Sequence, residues 1–404
     1  MNYSKNHKNN LPLKQRFYMF LNQIKGVIYQ IVGYIAAFGR INSQNNKKAL
    51  IIRVDEIGDY ILWRKCIDPL LSADKLKNFE VHFVGNQSWK SLFDLEFKET
   101  FQKITWLDKT KFKKSMIYRY TFLRNIAKEN YSIVINPTYS RAKRVDDSIV
   151  KAANASNNYG FVRNNENYLP YEQNFDKQLY HQLYEVKNKS SFEYTKNKAF
   201  AEWFCENTIS LSDIKFDATV LPSPKIENLP KNYFIVFPGS RSSARIWDTN
   251  NFIEVSNFLY DKHKLTAIIC GGNGDIAYAQ KFINSYTNPF LDFTGKTSLP
   301  ELLSILKSAT CLLSVDTGSI HLAASVNCLS LGIFNGSQYG RFSPYPKEIS
   351  TNIISFYPKA VKEDINKNGI TEKHELINNT SYNDVSAKEI IDYLVLNPIK
   401  DKSI

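Results

Sequence analysis

A chain of 404 residues exceeds one ordinary hydrophobic core and suits two domains of about 150 to 200 residues. Its 43% hydrophobic and 14% aromatic content excludes a solvating, disordered chain. The five scattered cysteines (Cys66, Cys205, Cys270, Cys311, Cys328) lack metal-ligand spacing and read as reduced core residues of a cytoplasmic protein. The net charge of +13 sits at the start: residues 1–54 carry nine Lys/Arg and no Asp or Glu, whereas the other 350 hold 43 basic and 39 acidic side chains, which argues against a nucleic-acid partner.

Within the extension 1–47, Leu13, Phe17, Phe20, Ile24, Ile28, Ile31, Ile35 and Phe38 recur every three or four residues, the period of one apolar helical stripe. Its most apolar part, Gly26 to Gly39, is about 14 residues, short of the roughly 20 that span a bilayer. Two readings stay open. The helix lies in an anionic membrane surface, with Lys14, Arg16, Lys25, Arg40, Lys47 and Lys48 for headgroups, or it packs on the protein's own body. The late start of the apolar segment, with no small-residue cleavage site after it, argues against a cleaved signal peptide.

From Lys48 the pattern becomes strand, turn, helix. "ALIIRV" (49–54) is an apolar run of strand length, followed by Asp-Glu-Ile-Gly-Asp and an apolar-periodic segment through Leu71. Further strands are expected at 80–85, 103–107 and 131–137, with helices between them. Continuous apolar strands alternating with helices imply an α/β fold with a parallel sheet covered on both faces. The stretch 165–215 is harder to read, with helices expected near 178–184 and 197–206. After Pro222 and Pro224, "KIENLPKN" (225–232) reads as a connector. The alternation then resumes with strands at 233–239, 265–272, 311–316 and 329–336. Domains are therefore expected at 48–224 and 225–385, each Rossmann-like, with a C-terminal helix and tail at 386–404. In such sheets ligands bind beyond the carboxyl ends of the strands.

The polar residues concentrate at those ends. Asp316, Thr317, Gly318, Ser319 and His321 fall at a turn between a strand and an expected helix, where free N–H groups favour a phosphate. A helix cap and a buried core histidine explain the same residues. "FPGSRSSARIWD" (237–248) sets Gly239, Ser240, Arg241 and Arg245 at another strand end, and "CGGNGD" (270–275) offers Asp275 for ribose hydroxyls or as a cap. In "RVDEIGDYIL" (53–62), Asp55, Glu56 and Asp59 cluster; a carboxylate there suits proton abstraction from a hydroxyl, and capping by Asp59 is the plainer alternative.

The runs "ALIIRVDEIGDYIL", "FPGSRSSARIWD", "FTGKTSLPELLSIL" and "SVDTGSIHLAA" followed by "LGIFNG" stand in the order found in glycosyltransferase family 9. The chain resembles this heptosyltransferase-like group of bacterial lipopolysaccharide enzymes over about 48–345. The resemblance implies a GT-B fold, with two lobes facing a cleft, and inverting transfer from a nucleotide diphosphate sugar to a lipid-linked or lipopolysaccharide-type saccharide. Asp59 matches the family's catalytic base. Arg245 matches a basic position at the donor diphosphate, with Ser240 and Arg241 in its loop. Thr317, Gly318 and His321 match the phosphate-binding turn, Asp316 a position near the donor sugar, and Asp275 the nucleoside region. Asp55 and Glu56 stand where small hydroxyl residues usually precede the Gly-Asp pair, and "FNGSQYGRFSPY" (334–345) replaces a turn like "FGPTDP". With Arg141 in "INPTYSRAKR" (135–144) they are acceptor-side candidates, a solvated basic loop being the other reading of 135–144. No cofactor or metal ion is expected, since a leaving diphosphate can be neutralised by arginine. A catalytically inactive nucleotide-sugar or glycan-binding protein of the same fold is the alternative function.

The spacing in "DINKNGITEKHE" (364–375) matches a calcium loop, with a polar Thr371 where an apolar residue usually packs; a polar loop is the simpler reading. The expected location is the cytoplasm, at the inner face of the membrane.

Overall fold

The computed structural model describes residues 13–38, 46–164, 166–167, 179–210, 213–224, 229–240, 242, 245–369 and 380–399. The first elements are α1 (Leu13–Ala37), β1 (Lys48–Arg53), α2 (Ile57–Ile61), α3 (Ile67–Leu71), β2 (Glu80–Asn86), α4 (Lys90–Phe97) and β3 (Lys103–Leu107). Then come α5 (Lys109–Lys114), α6 (Met116–Lys128), β4 (Ile133–Asn136), α7 (Asp146–Ala153), β5 (Asn157–Phe161), β6 (Gln182–Tyr184) and α8 (Glu193–Cys205). The chain continues through β7 (Tyr233–Phe237), α9 (Thr249–His263), β8 (Thr266–Ile269), α10 (Ile276–Ser285), β9 (Phe290–Asp292) and α11 (Leu299–Ser308). It ends with β10 (Leu312–Val315), α12 (Gly318–Ala324), β11 (Ser330–Ile333), β12 (Ile353–Phe356), α13 (Lys359–Asn368) and α14 (Ala387–Leu396).

The strands form two six-stranded parallel sheets, in the orders β3-β2-β1-β4-β5-β6 and β12-β11-β10-β7-β8-β9. In each, an apolar run occupies the centre because both faces are covered: Ala49 to Ile52 and Leu312 to Val315 are wholly buried. The second sheet's core gathers Phe234, Val236, Trp247, Leu313 and Ile333 with Ile390 and Leu394 of α14. Capping fixes where helices begin. Ser298 and Glu301 form a reciprocal box at α11, and Asp248 accepts from Asn250 N at α9.

The compact units are not two consecutive stretches. The first holds the described residues up to Asp55, Ala73–Gln87 and Glu99–Glu185, and the second Glu56–Ser72, Ser88–Lys98 and everything from Val186. The chain thus changes unit five times instead of once near 224. Residues 186–224 join the second unit, and α14, expected as a separate tail, is part of its core, with Trp247 Nε1 donating to Val385 O at 2.8 Å. The helix expected over 178–184 is corrected as well. Gln182 to Tyr184 form edge strand β6, held by the hydrogen bonds His181 N to Asn158 O and Val162 N to Tyr184 O; residue 178 lies outside the described residues.

Helix α1 belongs to the first unit and lies on α6 and α7. Its inward face is small or polar. Tyr29 and Ala36 are buried, the Tyr29 hydroxyl bonds Lys113 O, and the Arg119 guanidinium lies 4.2 Å from the Tyr29 ring. Arginines grip its backbone: Arg144 donates to Asn22 O at 2.9 Å and Arg124 to Ala36 O at 3.1 Å. Phe17, Phe20, Ile24, Ile28, Ile31, Ile35 and Phe38 are 42–82% exposed, so the predicted stripe points away from the unit on which the helix packs. The side chain of Leu13 lies outside the description.

Candidate functional site

Four strand-end segments of the second unit meet around α12. Strand β10 delivers Asp316 and Thr317, and α12 starts at Gly318. Asp316 is buried, and burial raises its carboxyl above the usual range against the opposing effect of Arg245. A chain of hydroxyls follows: Thr317 Oγ1 and Ser314 Oγ lie 2.7 and 2.8 Å from Ser319 Oγ.

Arg245, between β7 and α9, reaches this turn. Its Nη1 donates to Asp316 O at 3.2 Å and stands 3.9 Å from Asp316 Oδ2. With 39% of its side chain exposed, it can swing to a ligand without leaving a buried charge behind. Ser240 is buried in the same loop, its hydroxyl 3.4 Å from Ser242 N; Arg241 lies outside the described residues. Asp275 acts as a local cap, one carboxylate oxygen accepting from Gly272 N at 2.8 Å, with Gly239 so close that a side chain there would collide with the carboxylate.

The segment bearing Asp59 packs directly on α12. A β-carbon at Gly58 would collide with the His321 ring, and one at Gly318 would meet Ile57 Cβ at 3.5 Å. His321 is held in place by a hydrogen bond between its Nδ1 and the Tyr345 hydroxyl. Burial pushes its ring down to about 4 although Glu193 opposes the shift, so it is neutral near pH 7. Asp59, one residue beyond Gly58, receives Glu56 N on Oδ2 at 3.4 Å, and its Oδ1 lies 3.9 Å from Arg341 Nη2. Arg341 is itself anchored: its Nε donates to Glu193 Oε2 at 2.8 Å, and its carbonyl accepts from Glu193 N at 2.8 Å.

Asp59, Arg245, Asp316, Thr317, Gly318 and His321 are therefore brought together on one unit. Two acceptor-side candidates are assigned to the first unit. In the first unit, Asp55 is bound to buried Arg53, Nε to Oδ2 at 2.7 Å. Arg141, expected on a solvated or acceptor-facing loop, is fully buried, donating to Asp147 Oδ1 at 3.1 Å and to Phe161 O; its charge is met inside the unit. Glu56 stands at the head of α2, partly exposed.

Sequence reasoning missed Arg341, Glu193 and Tyr345. Arg341 and Tyr345 lie in the stretch that replaces the family-like turn, and the only legible signal was an arginine between Gly340 and Phe342 in the connection after β11. As for metals, no group of three His, Cys, Asp or Glu with suitable geometry occurs among the described residues. Residues 364–368 of the calcium-like pattern continue α13 up to Gly369, and 370–375 lie outside the described residues.

The arrangement joins a partly exposed carboxylate beside a guanidinium to a hydroxyl-bearing turn that holds a partly exposed arginine. It is equipped to take a proton and to neutralise a developing anion. Comparison with known proteins gives the family and the fold. The sequence model described as glycosyltransferase family 9 (heptosyltransferase) matches residues 119–370. Lipopolysaccharide heptosyltransferase 3 of Escherichia coli K12 is 26% identical over 153 residues, 37% of this chain and 42% of that protein. Lipopolysaccharide core heptosyltransferase OpsX of Haemophilus influenzae is 22% identical over 172 residues, 42% and 46% of the two chains. These alignments span less than half of either relative. Among solved structures, a family 9 glycosyl transferase from Veillonella parvula superposes with a TM-score of 0.64 at 15% identity, covering 87% of this chain and 96% of that one. The E. coli heptosyltransferase WaaC with ADP gives 0.60 at 12%, covering 87% and 99%. The two doubly wound sheets are those of the GT-B fold, and the chain belongs to glycosyltransferase family 9, the heptosyltransferase family.

Proposed function

We propose that the protein is an inverting glycosyltransferase that moves heptose or a related sugar from a nucleotide diphosphate to a lipid-linked saccharide in lipopolysaccharide or surface-glycan synthesis. The observation that carries this reading is the packing of the Asp59 segment on the 316–321 turn, with Arg245 hydrogen-bonded to that turn. Solved relatives bind ADP and ADP-2-deoxy-2-fluoro heptose, which makes an ADP-sugar the first donor to test.

Asp59 removes the proton from the acceptor hydroxyl as that oxygen attacks the anomeric carbon and the nucleoside diphosphate departs. Arg245 meets the charge gained by the leaving group, assisted by the hydroxyls of Ser240 and Thr317 and the backbone at Gly318. Neutral His321 supports the turn, Asp316 lies toward the sugar, and Asp275 lies on the nucleoside side. The reading gives no metal a role. Arg341 positions the base by lying between Asp59 and Glu193.

Asp59→Asn keeps the shape and removes the base. Transfer from ADP-heptose to a membrane-extract acceptor is expected to fall by about 10²–10⁴-fold, with donor affinity by calorimetry nearly unchanged. Retained turnover would overturn the assignment. A wild-type protein that binds donor and neither transfers nor hydrolyses it would instead be a binding protein of the same fold.

The second part of the proposal is peripheral placement at the cytoplasmic membrane surface, through α1. No described helix is long and apolar enough to cross a membrane. The outward face of α1 is apolar, and residues 109–128 beneath it hold seven Lys/Arg and no acidic residue.

A further inference from the structure

Where α1 meets α7, a cavity of about 530 Å³ opens within the first unit. Gln30, Gly33 and Tyr34 form its α1 wall. Lys143, Ser148 and Lys151 come from the other side, and His181 closes it next to β6. The volume lies in the range of small-molecule sites. The one carboxylate among the described lining residues, Asp147, already accepts from Arg141 at 3.1 Å and from the Tyr180 hydroxyl at 2.8 Å. Lys151 lies 3.9 Å from the centre of the Tyr34 ring, so one ammonium stands at the edge of α1.

Position on the helix indicates what this cavity holds. Tyr34 comes three residues after Ile31 and four before Phe38, which sets it at the border of the exposed apolar row. A polar cavity with two lysines therefore adjoins an outward apolar strip. A soluble anion would use only the first; an amphiphile with an anionic head would use both.

Resting on the membrane placement argued above, we propose that this cavity binds the phosphate-bearing headgroup of an anionic membrane lipid, with its acyl chains lying along the exposed row of α1. Lys143 and Lys151 meet the phosphate charge, the Gln30 amide supplies hydrogen bonds, and α1 brings the cavity down to headgroup depth. Membrane contact then becomes selective for lipid charge at a built site, beyond the diffuse attraction of the basic α5 and α6.

The test is sedimentation of the full chain with phosphatidylcholine vesicles, and with vesicles containing about a third phosphatidylglycerol, at one ionic strength. Wild type is expected to bind both and to prefer the anionic ones. A side chain at Gly33 meets nothing within 4 Å, so Gly33→Leu fills the cavity and removes no charge. It should lose most of the preference, about tenfold, while keeping its binding to neutral vesicles. Lys143→Gln with Lys151→Gln should behave alike, and Lys111→Gln with Lys114→Gln on α5 should lose clearly less. An unchanged preference in Gly33→Leu, or equal losses in the two lysine pairs, would overturn the proposal and leave the membrane placement standing. Wild type that binds neither vesicle would end both, and light scattering would then show whether a second copy covers the row. A soluble phosphate ester, sn-glycerol 1-phosphate, that raises the melting temperature of wild type but not of Gly33→Leu would move the site to a free ligand and overturn the lipid assignment.

Discussion

His321 ties the chemistry of the site to its stability. Its ring titrates near 4 in the folded protein against an ordinary 6.5, so between those values the unfolded chain binds the extra proton. The contribution of this group is therefore fully present above about pH 6.5 and is lost as the pH falls toward 4, on the order of 3 kcal/mol in all. Asp316, whose carboxyl is raised by burial, works in the opposite sense. The measurement is thus a difference: denaturant unfolding of wild type and His321→Asn at pH 7.5, 5.5 and 4.5, with the variant showing the shallower acid-side loss. An equal slope in both would contradict a buried neutral ring. At this scale the sequence was legible where polar residues stand together at a strand end, as at 316–321 and around Asp59 and Arg245. It was not legible for Arg341 and Glu193, which meet across nearly 150 residues with no periodicity or motif to join them. Arg141 was misread as solvated or acceptor-facing because charge suggests exposure, whereas it is buried and spent on Asp147 inside the first unit.

At the scale of elements, the approach of α2 to α12 depends on one missing side chain. Gly58→Ala would drive a methyl into the His321 ring, which Tyr345 holds from the other side. Overpacking of this kind costs about 1–3 kcal/mol, and displacement of α2 should also lower kcat. Gly274→Ala, whose methyl meets nothing within 4 Å, serves as the control and should stay close to wild type in both melting temperature and turnover. Removal of Arg341 tests the other contact: Arg341→Ala takes from Glu193, 1% exposed, its guanidinium partner, and such a loss costs about 3–5 kcal/mol. Restoring stability in the double variant with Glu193→Gln would identify that pair as the cause. Most strands were legible because a strand buried on both faces must be continuously apolar. The short edge strands β6, β9 and β12 were not, because three or four residues at a sheet edge take their order from the neighbouring strand rather than from their own pattern, and β5 was not, because Asn157, Asn158 and Gly160 interrupt any apolar run.

For the whole molecule, the apolar period of the extension was plain, but its direction was not. The same stripe serves a core helix and a membrane-surface helix, and only packing shows that Gly26, Tyr29, Gly33 and Ala36 face inward. Replacing Ile24, Ile28, Ile31 and Ile35 by Ser should therefore abolish sedimentation with vesicles and leave the melting temperature almost unchanged, since none of these side chains contributes to a core. A large fall in melting temperature would show that the face is covered within the protein.

The repeated change of unit along the chain bears on how the protein is made. Residues 56–72 leave the ribosome roughly a hundred residues before Val186, where most of their unit begins. At about 5–20 residues per second, they wait several seconds or more for their sheet. Asp59 meets Arg341 only after some 280 further residues have been synthesised. A nascent chain stalled before β10 would carry Asp59 without the 316–321 turn, and a single cut in the gene between Glu56 and Val186 would separate parts of the second unit.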